Sequence, residues 1–175
     1  MGTIKIDSGL FAATAWGYRD SNIPYSKLDC QAFVERVLRD CGVARDWKGS
    51  NDMWRNALSW SGTLDECKKA FGLIPVGAWL FTVKNDGGEV SRGYHDNKGN
   101  AAHVGIFCGE DLGTMHSTTG GVQAGPWTDP KRWTHCGLCK YIDYPVETEN
   151  SLILLIDEAI AKLEQLKERI MNHAV

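Results

Sequence analysis

The sequence has no apolar run of the roughly 20 residues that a membrane-crossing helix needs, so no membrane partner is expected. It has no excess of basic charge. Lysine and arginine total 19 against 22 acidic residues, a formal net charge of −3, which argues against a nucleic-acid-binding face. It has no internal repeat and no low-complexity tract. The segment from Met1 to Ser8 has no charged region followed by an apolar stretch, so no secretory signal is expected. Ile6 breaks the pattern that N-myristoylation at Gly2 would need. What is present is ordinary for a globular chain: 175 residues, 43% hydrophobic and 23% charged, enough for one domain with a real core. Without an export signal, the six cysteines are expected to be free thiols rather than a disulfide framework.

Periodicity divides the chain. Residues 1–25 read as a short helical or irregular lead-in. From about Cys30 to Cys41, Phe33, Val34, Val37 and Leu38 recur at helical spacing, and Gly42 supplies a stop. Residues 44–74 read as short helices carrying Trp47, Trp54 and Trp60. Strand-like runs follow at 78–83, 103–108, 113–117 and 138–144, with a polar, glycine-containing insertion at 84–100. One helix followed by several short strands predicts an α+β domain with an antiparallel sheet against the helix. The predicted domain covers 1–146. Residues 147–175 are a linker and a C-terminal amphipathic helix, marked by Leu152, Ile156, Ala159, Leu163, Leu166 and Ile170. That helix would serve docking in an assembly or homo-oligomer formation.

Cys30 is the residue with the most chemistry. It lies where a polar turn becomes the first helix. A thiol in a first helical turn faces unpaired N–H groups and the positive end of the helix dipole, and both favour thiolate. Far downstream stand His103 and His116 in strand-like surroundings. A cysteine on a helix start with separated histidines is the layout of a papain-like hydrolase: Cys30 as nucleophile, His103 as base, His116 holding the base's other ring nitrogen. Asp29 caps the helix or orients the groove. Cys136, Cys139 and His135 invite a zinc reading, but a structural site needs four ligands and no second close pair is evident. No metal and no cofactor are expected.

Three stretches together resemble the NlpC family of bacterial cell-wall cysteine peptidases: Asp29-Cys30-Gln31-Ala32-Phe33, His103-Val104-Gly105-Ile106-Phe107 followed by His116, and Ile74-Pro75-Val76-Gly77-Ala78-Trp79-Leu80-Phe81. The likeness spans about residues 10–145. It departs from the family pattern at Gln31-Ala32, which replace Ser-Gly, and at Ala78, which replaces Asp. The resemblance implies a papain-like fold and hydrolysis of peptidoglycan stem peptides at the γ-D-glutamyl–diamino acid bond. It also implies a tyrosine that holds the free amino end of the stem peptide, a role for which Tyr18 and Tyr25 both compete. Trp127 is a candidate for the cleft border. A phage lysin or tail component acting on the wall would fit a chain without an export signal. The alternatives are a related thiol amidase cutting at L-alanine, a non-catalytic wall-binding or scaffold domain, and a zinc-stabilised interaction module.

Overall fold

A computed structural model of the chain describes residues 5–145, together with 160, 162–164 and 167. The chain divides into two compact units, Met1–Tyr144 and Pro145–Val175. The stripe expected over 151–173 lies almost entirely outside the described residues. Among the described residues no helix is long and apolar enough to cross a membrane.

In the first unit the elements run β1 (Ile6–Asp7), α1 (Ser8–Trp16), α2 (Cys30–Asp40), α3 (Ser50–Asn56), β2 (Leu58–Thr63), α4 (Leu64–Phe71) and β3 (Trp79–Lys84). A 3₁₀ turn at Val90–Arg92 precedes β4 (Asn100–Gly109), β5 (Gly113–Thr118), β6 (Gly121–Gly125), β7 (His135–Cys139) and β8 (Ile142–Asp143). Six strands form one sheet in the order β2-β7-β3-β4-β5-β6, with every pairing antiparallel. β1 and β8 form a separate parallel pair.

This arrangement corrects the expected fold. The expected α+β, papain-like domain with one nucleophile helix on an antiparallel sheet is not what forms, and the expected C-terminal helix lies almost entirely outside the described residues. The architecture is mixed. The beginning and end of the first unit meet in a parallel ladder, where the Ile6 amide donates to the Tyr141 carbonyl over 2.9 Å. The segment 44–74 is not a run of short helices. Between α3 and α4 it enters the large sheet as β2, because Leu58 and its neighbours pair with β7. The lead-in is the regular helix α1, capped by Asp7, whose carboxylate accepts from the Leu10 amide.

α2 is defined at both ends. The Asp29 side chain accepts from the Ala32 amide over 2.8 Å, which satisfies one of the unpaired donors of the first turn. At the other end Gly42 takes φ +90°, a backbone state that suits glycine, and the Val43 amide returns to the Leu38 carbonyl. Between the ends, Phe33, Val34, Val37 and Leu38 are fully buried. They share one core with Phe11, Ala15, Trp79, Phe81, Val104, Ile106 and Met115. A second core on the other side of the central strands joins Leu80, Phe107, Trp133, Leu138, Cys136 and, from α4, Cys67. β3 is therefore buried on both faces, Trp79 and Phe81 to one core and Leu80 to the other, as the period of two requires. Cys67 is not isolated as the sequence suggested. Its sulfur lies 3.0 Å from that of Cys136.

Phe33→Ala empties the centre of the first core beneath the Cys30 helix. The expected loss of stability is about 3–5 kcal/mol, measured by urea unfolding. A loss under 1 kcal/mol would contradict the packing described.

Candidate functional site

The site begins where a ladder stops. β4 pairs with β5 from Gly109–Gly113 to Ile106–Met115, and the described pairing goes no further. The end of β5 and the start of β6 are tied to the segment before α2: the Ser117 hydroxyl donates to the Leu28 carbonyl, and the Val122 amide to the Ile23 carbonyl. These bonds bring the start of α2 to the opening between the strands. There the amide of Val104 faces the Cys30 sulfur, with the Gln31 amide and the Tyr25 hydroxyl around it. The sulfur thus sits one residue along β4 from His103.

His103 and His116 meet from β4 and β5. Their Nε2 and Nδ1 atoms are 2.9 Å apart, a ring-to-ring hydrogen bond. They lie on the sheet face opposite α2, against Trp133. The indole stacks on His103 at 5.5 Å and 26°, and meets His116 edge-on at 5.3 Å. Gly105 permits this. A Cβ there would come within 2.7 Å of the indole and 3.0 Å of the His116 Cβ. Cys30 thus belongs to the α2 face of the sheet and the histidine pair to the Trp133 face.

Two cavities adjoin at Ala102, which lines both. The first, about 420 Å³, is lined by Tyr25, Asp29, Cys30 and Gln31 with residues of α3 and the 84–100 insertion. The second, about 360 Å³, is lined by His103, Thr82, Asp129 and Arg132 among others.

The electrostatics reverse one sequence expectation. The helix start was expected to favour thiolate at an exposed position. Instead Cys30 is only 6% exposed. Burial pushes its pKa above the usual thiol value, and the Asp29 charge adds to the rise, while the facing amides and the Tyr25 hydroxyl oppose it. The histidines are shifted the other way. Burial, with the Arg132 guanidinium, takes His103 down to about 4. Burial, with His103 and then Arg132, takes His116 down to about 3. Near pH 7 the thiol and both imidazoles are thus neutral.

The remaining candidates divide. Tyr25 faces the sulfur, and its own pKa is raised chiefly by the Cys30 charge. Tyr18 does not reach the site. Its hydroxyl bonds Asp40 at the opposite end of α2, and its ring packs edge-on against Phe33. Trp127 is also away from the Cys30 cavity: it packs against Phe107 at 5.6 Å, with the Lys68 ammonium over its ring. Asp29 both caps α2 and lines the first cavity. Among the described residues no cluster of metal-ligating side chains occurs.

Sequence reading missed Trp133 as the cover over the histidines and Arg132 as their neighbouring charge. It also missed Glu35. That buried carboxylate accepts from the Gln31 side chain and from the Trp47 amide, both at 2.7 Å. Gln31 further donates to the Trp47 carbonyl. Gln31 therefore pins the chain after α2 to the first turn of that helix. An i, i+4 Gln–Glu pair on a helix is a weak signal that could have pointed to it. No family model matches the chain, and no curated protein matches it.

Histidines with lowered pKa values destabilise the fold in acid. Above pH 6.5 both are neutral in either state and their contribution is intact. As pH falls, the unfolded chain takes up protons first, so stability drops through the interval down to about pH 4 for His103 and about pH 3 for His116. Ring resonances followed by NMR are expected to titrate near these values, and alkylation of Cys30 is expected to displace the His103 signals. Midpoints near 6.5 would contradict the burial of the pair.

Proposed function

We propose that the chain is a cysteine endopeptidase that hydrolyses peptidoglycan stem peptides at the γ-D-glutamyl–diamino acid bond. The observation that carries this reading is the His103–His116 hydrogen bond at the opening that holds Cys30. The resemblance of the Cys30, His103 and Pro75-Val76-Gly77 stretches to the NlpC family supplies the substrate class. The setting that goes with it is action on the wall by a phage lysin or tail component.

The bond between the histidines is compatible with one proton path. His103 uses Nε2 toward His116, which leaves Nδ1 to take the thiol proton. The tautomer this requires has hydrogen on Nε2, donated to Nδ1 of His116. Because Cys30 is held as thiol and His103 as neutral imidazole, proton transfer accompanies attack rather than preceding it. The sulfur bonds the carbonyl carbon. The oxyanion is held by the Cys30 amide, one of the unpaired donors of the first turn of α2. The imidazolium then gives its proton to the departing amine as the C–N bond breaks. Water hydrolyses the thioester, returning the hydrogen to sulfur by the same base.

Purified wall, digested and analysed by mass spectrometry, is expected to release fragments with a new diamino-acid amino terminus. A new L-alanine amino terminus would assign the amidase reaction instead. Cys30→Ala is expected to lower the rate by about 10⁴-fold or more, and His103→Ala by about 10²–10⁴-fold. His116→Ala should cost less, because His103 remains. Equal digestion by Cys30→Ala would end the proposal. A second reading, a non-catalytic wall-binding domain, draws on the burial of Cys30. It predicts a thiol that iodoacetamide fails to label near neutral pH.

A further inference from the structure

The two cavities that meet at Ala102 carry a charge pattern that the whole chain does not. The chain is acidic overall. Yet Lys48 and Arg92 line the cavity with Cys30, and Lys84, Lys131 and Arg132 line the cavity with His103. The carboxylates in the two linings are Asp29 and Asp129. Each already accepts a backbone N–H, from Ala32 and from Lys131. The ion pairs found among the described residues use other cations, Arg19, Arg36, Arg39 and Arg55. Five cations thus border the two cavities outside these ion pairs, with Lys84 alone in the field of a neighbouring carboxylate, Asp86.

The insertion that brings Arg92 there is anchored. Arg55 on α3 bonds both oxygens of Asp96 at 2.8 Å and the Gly99 carbonyl at 3.0 Å, and its guanidinium lies over the Tyr94 ring. Trp54 donates to the Lys98 carbonyl, and Asn51 bonds Asn100. The 94–100 end of the insertion is therefore anchored to α3, beside the first cavity.

We infer that the groove selects substrates with free carboxylates on both sides of the scissile bond. Resting on the stem-peptide reading, this means stems whose γ-linked glutamate keeps its α-carboxylate and whose diamino acid carries a second carboxylate, in preference to amidated or lysine-containing stems. Opposite charge raises local substrate concentration in a low-dielectric cleft, and the effect weakens with salt.

Alkylation of Cys30 tests the charge preference without any peptidase activity. The iodoacetate-to-iodoacetamide rate ratio is expected to exceed that of the urea-unfolded chain by about tenfold. It should fall toward the unfolded value in Lys48→Gln/Arg92→Gln and stay unchanged in Lys69→Gln. A parent ratio equal to the unfolded one would overturn the inference. Should neither reagent react, the melting shift caused by glutarate over that caused by glutaramide decides: an excess abolished in Lys48→Gln/Arg92→Gln upholds it, and equal shifts overturn it. For the second cavity, Lys84→Gln/Lys131→Gln should narrow the rate difference between free and amidated stem peptides. An unchanged difference would overturn that half. If the charge preference holds while no stem is cut, the groove inference survives and the peptidase reading alone fails.

Discussion

Everything at the site depends on the point at which β4 and β5 stop pairing. Had the ladder continued past Ile106–Met115, the Val104 amide would have a strand partner and the start of α2 would have no place between the strands. Backbone donors in a buried setting need an acceptor. Here the first turn of α2 fills the gap, held by the bonds from Ser117 to Leu28 and from Val122 to Ile23. Beside the same gap, two histidines from successive strands reach each other on one sheet face, while their backbones pair with Thr82 and Gln123.

Burial at that gap has opposite effects on the thiol and the imidazoles, and both effects favour neutral forms. A site poised as a neutral pair stores no ion pair in the resting state. In the proposed reaction, charge separates only when a carbonyl is present to receive the sulfur. Desolvation then strengthens each interaction with the developing oxyanion, since donors fixed by the helix do not have to reorganise. Trp133 contributes to this state by excluding water from one face of His103, and Gly105 is the residue whose lack of a side chain lets it do so.

The parts of the molecule set by local rules were legible in the sequence. Helical spacing behind Cys30, the Asp29 cap and the Gly42 stop specify α2, and short apolar runs specify β3 and β4. The offset between His103 and His116 spans the turn at Glu110–Gly113, which is why their meeting could be anticipated. Long-range pairing was not legible. Two-residue strands such as β1 and β8 carry no periodic signal, and β2 reads Leu-Ser-Trp-Ser-Gly-Thr with partners some 75 residues on, so neither the parallel pair nor the mixed order followed from pattern. Tyr18 was misplaced for a related reason. Proximity in sequence to the nucleophile turn gave no measure of where an 11-residue helix would carry its far end.

The insertion at 84–100 shows how chain-specific chemistry attaches to a framework of this kind. A polar segment of that length loses conformational entropy when it is fixed, of order 1 kcal/mol per residue. What offsets the loss is concentrated on one short helix. Asn51, Trp54 and Arg55 lie on successive turns of α3 and bond the end of the segment as it returns to β4. Arg55 is almost wholly buried in doing so, with its charge answered by Asp96 and the Gly99 carbonyl. Removing Asp96 would leave the buried Arg55 guanidinium without its counter-charge, which is far more costly than losing a surface pair. The helix that closes the segment also carries Ser50 and Asn51 into the lining beside Cys30. The groove wall and its anchor are therefore one element, and the charge that Arg92 presents is fixed by the same packing that holds β4 at the thiol.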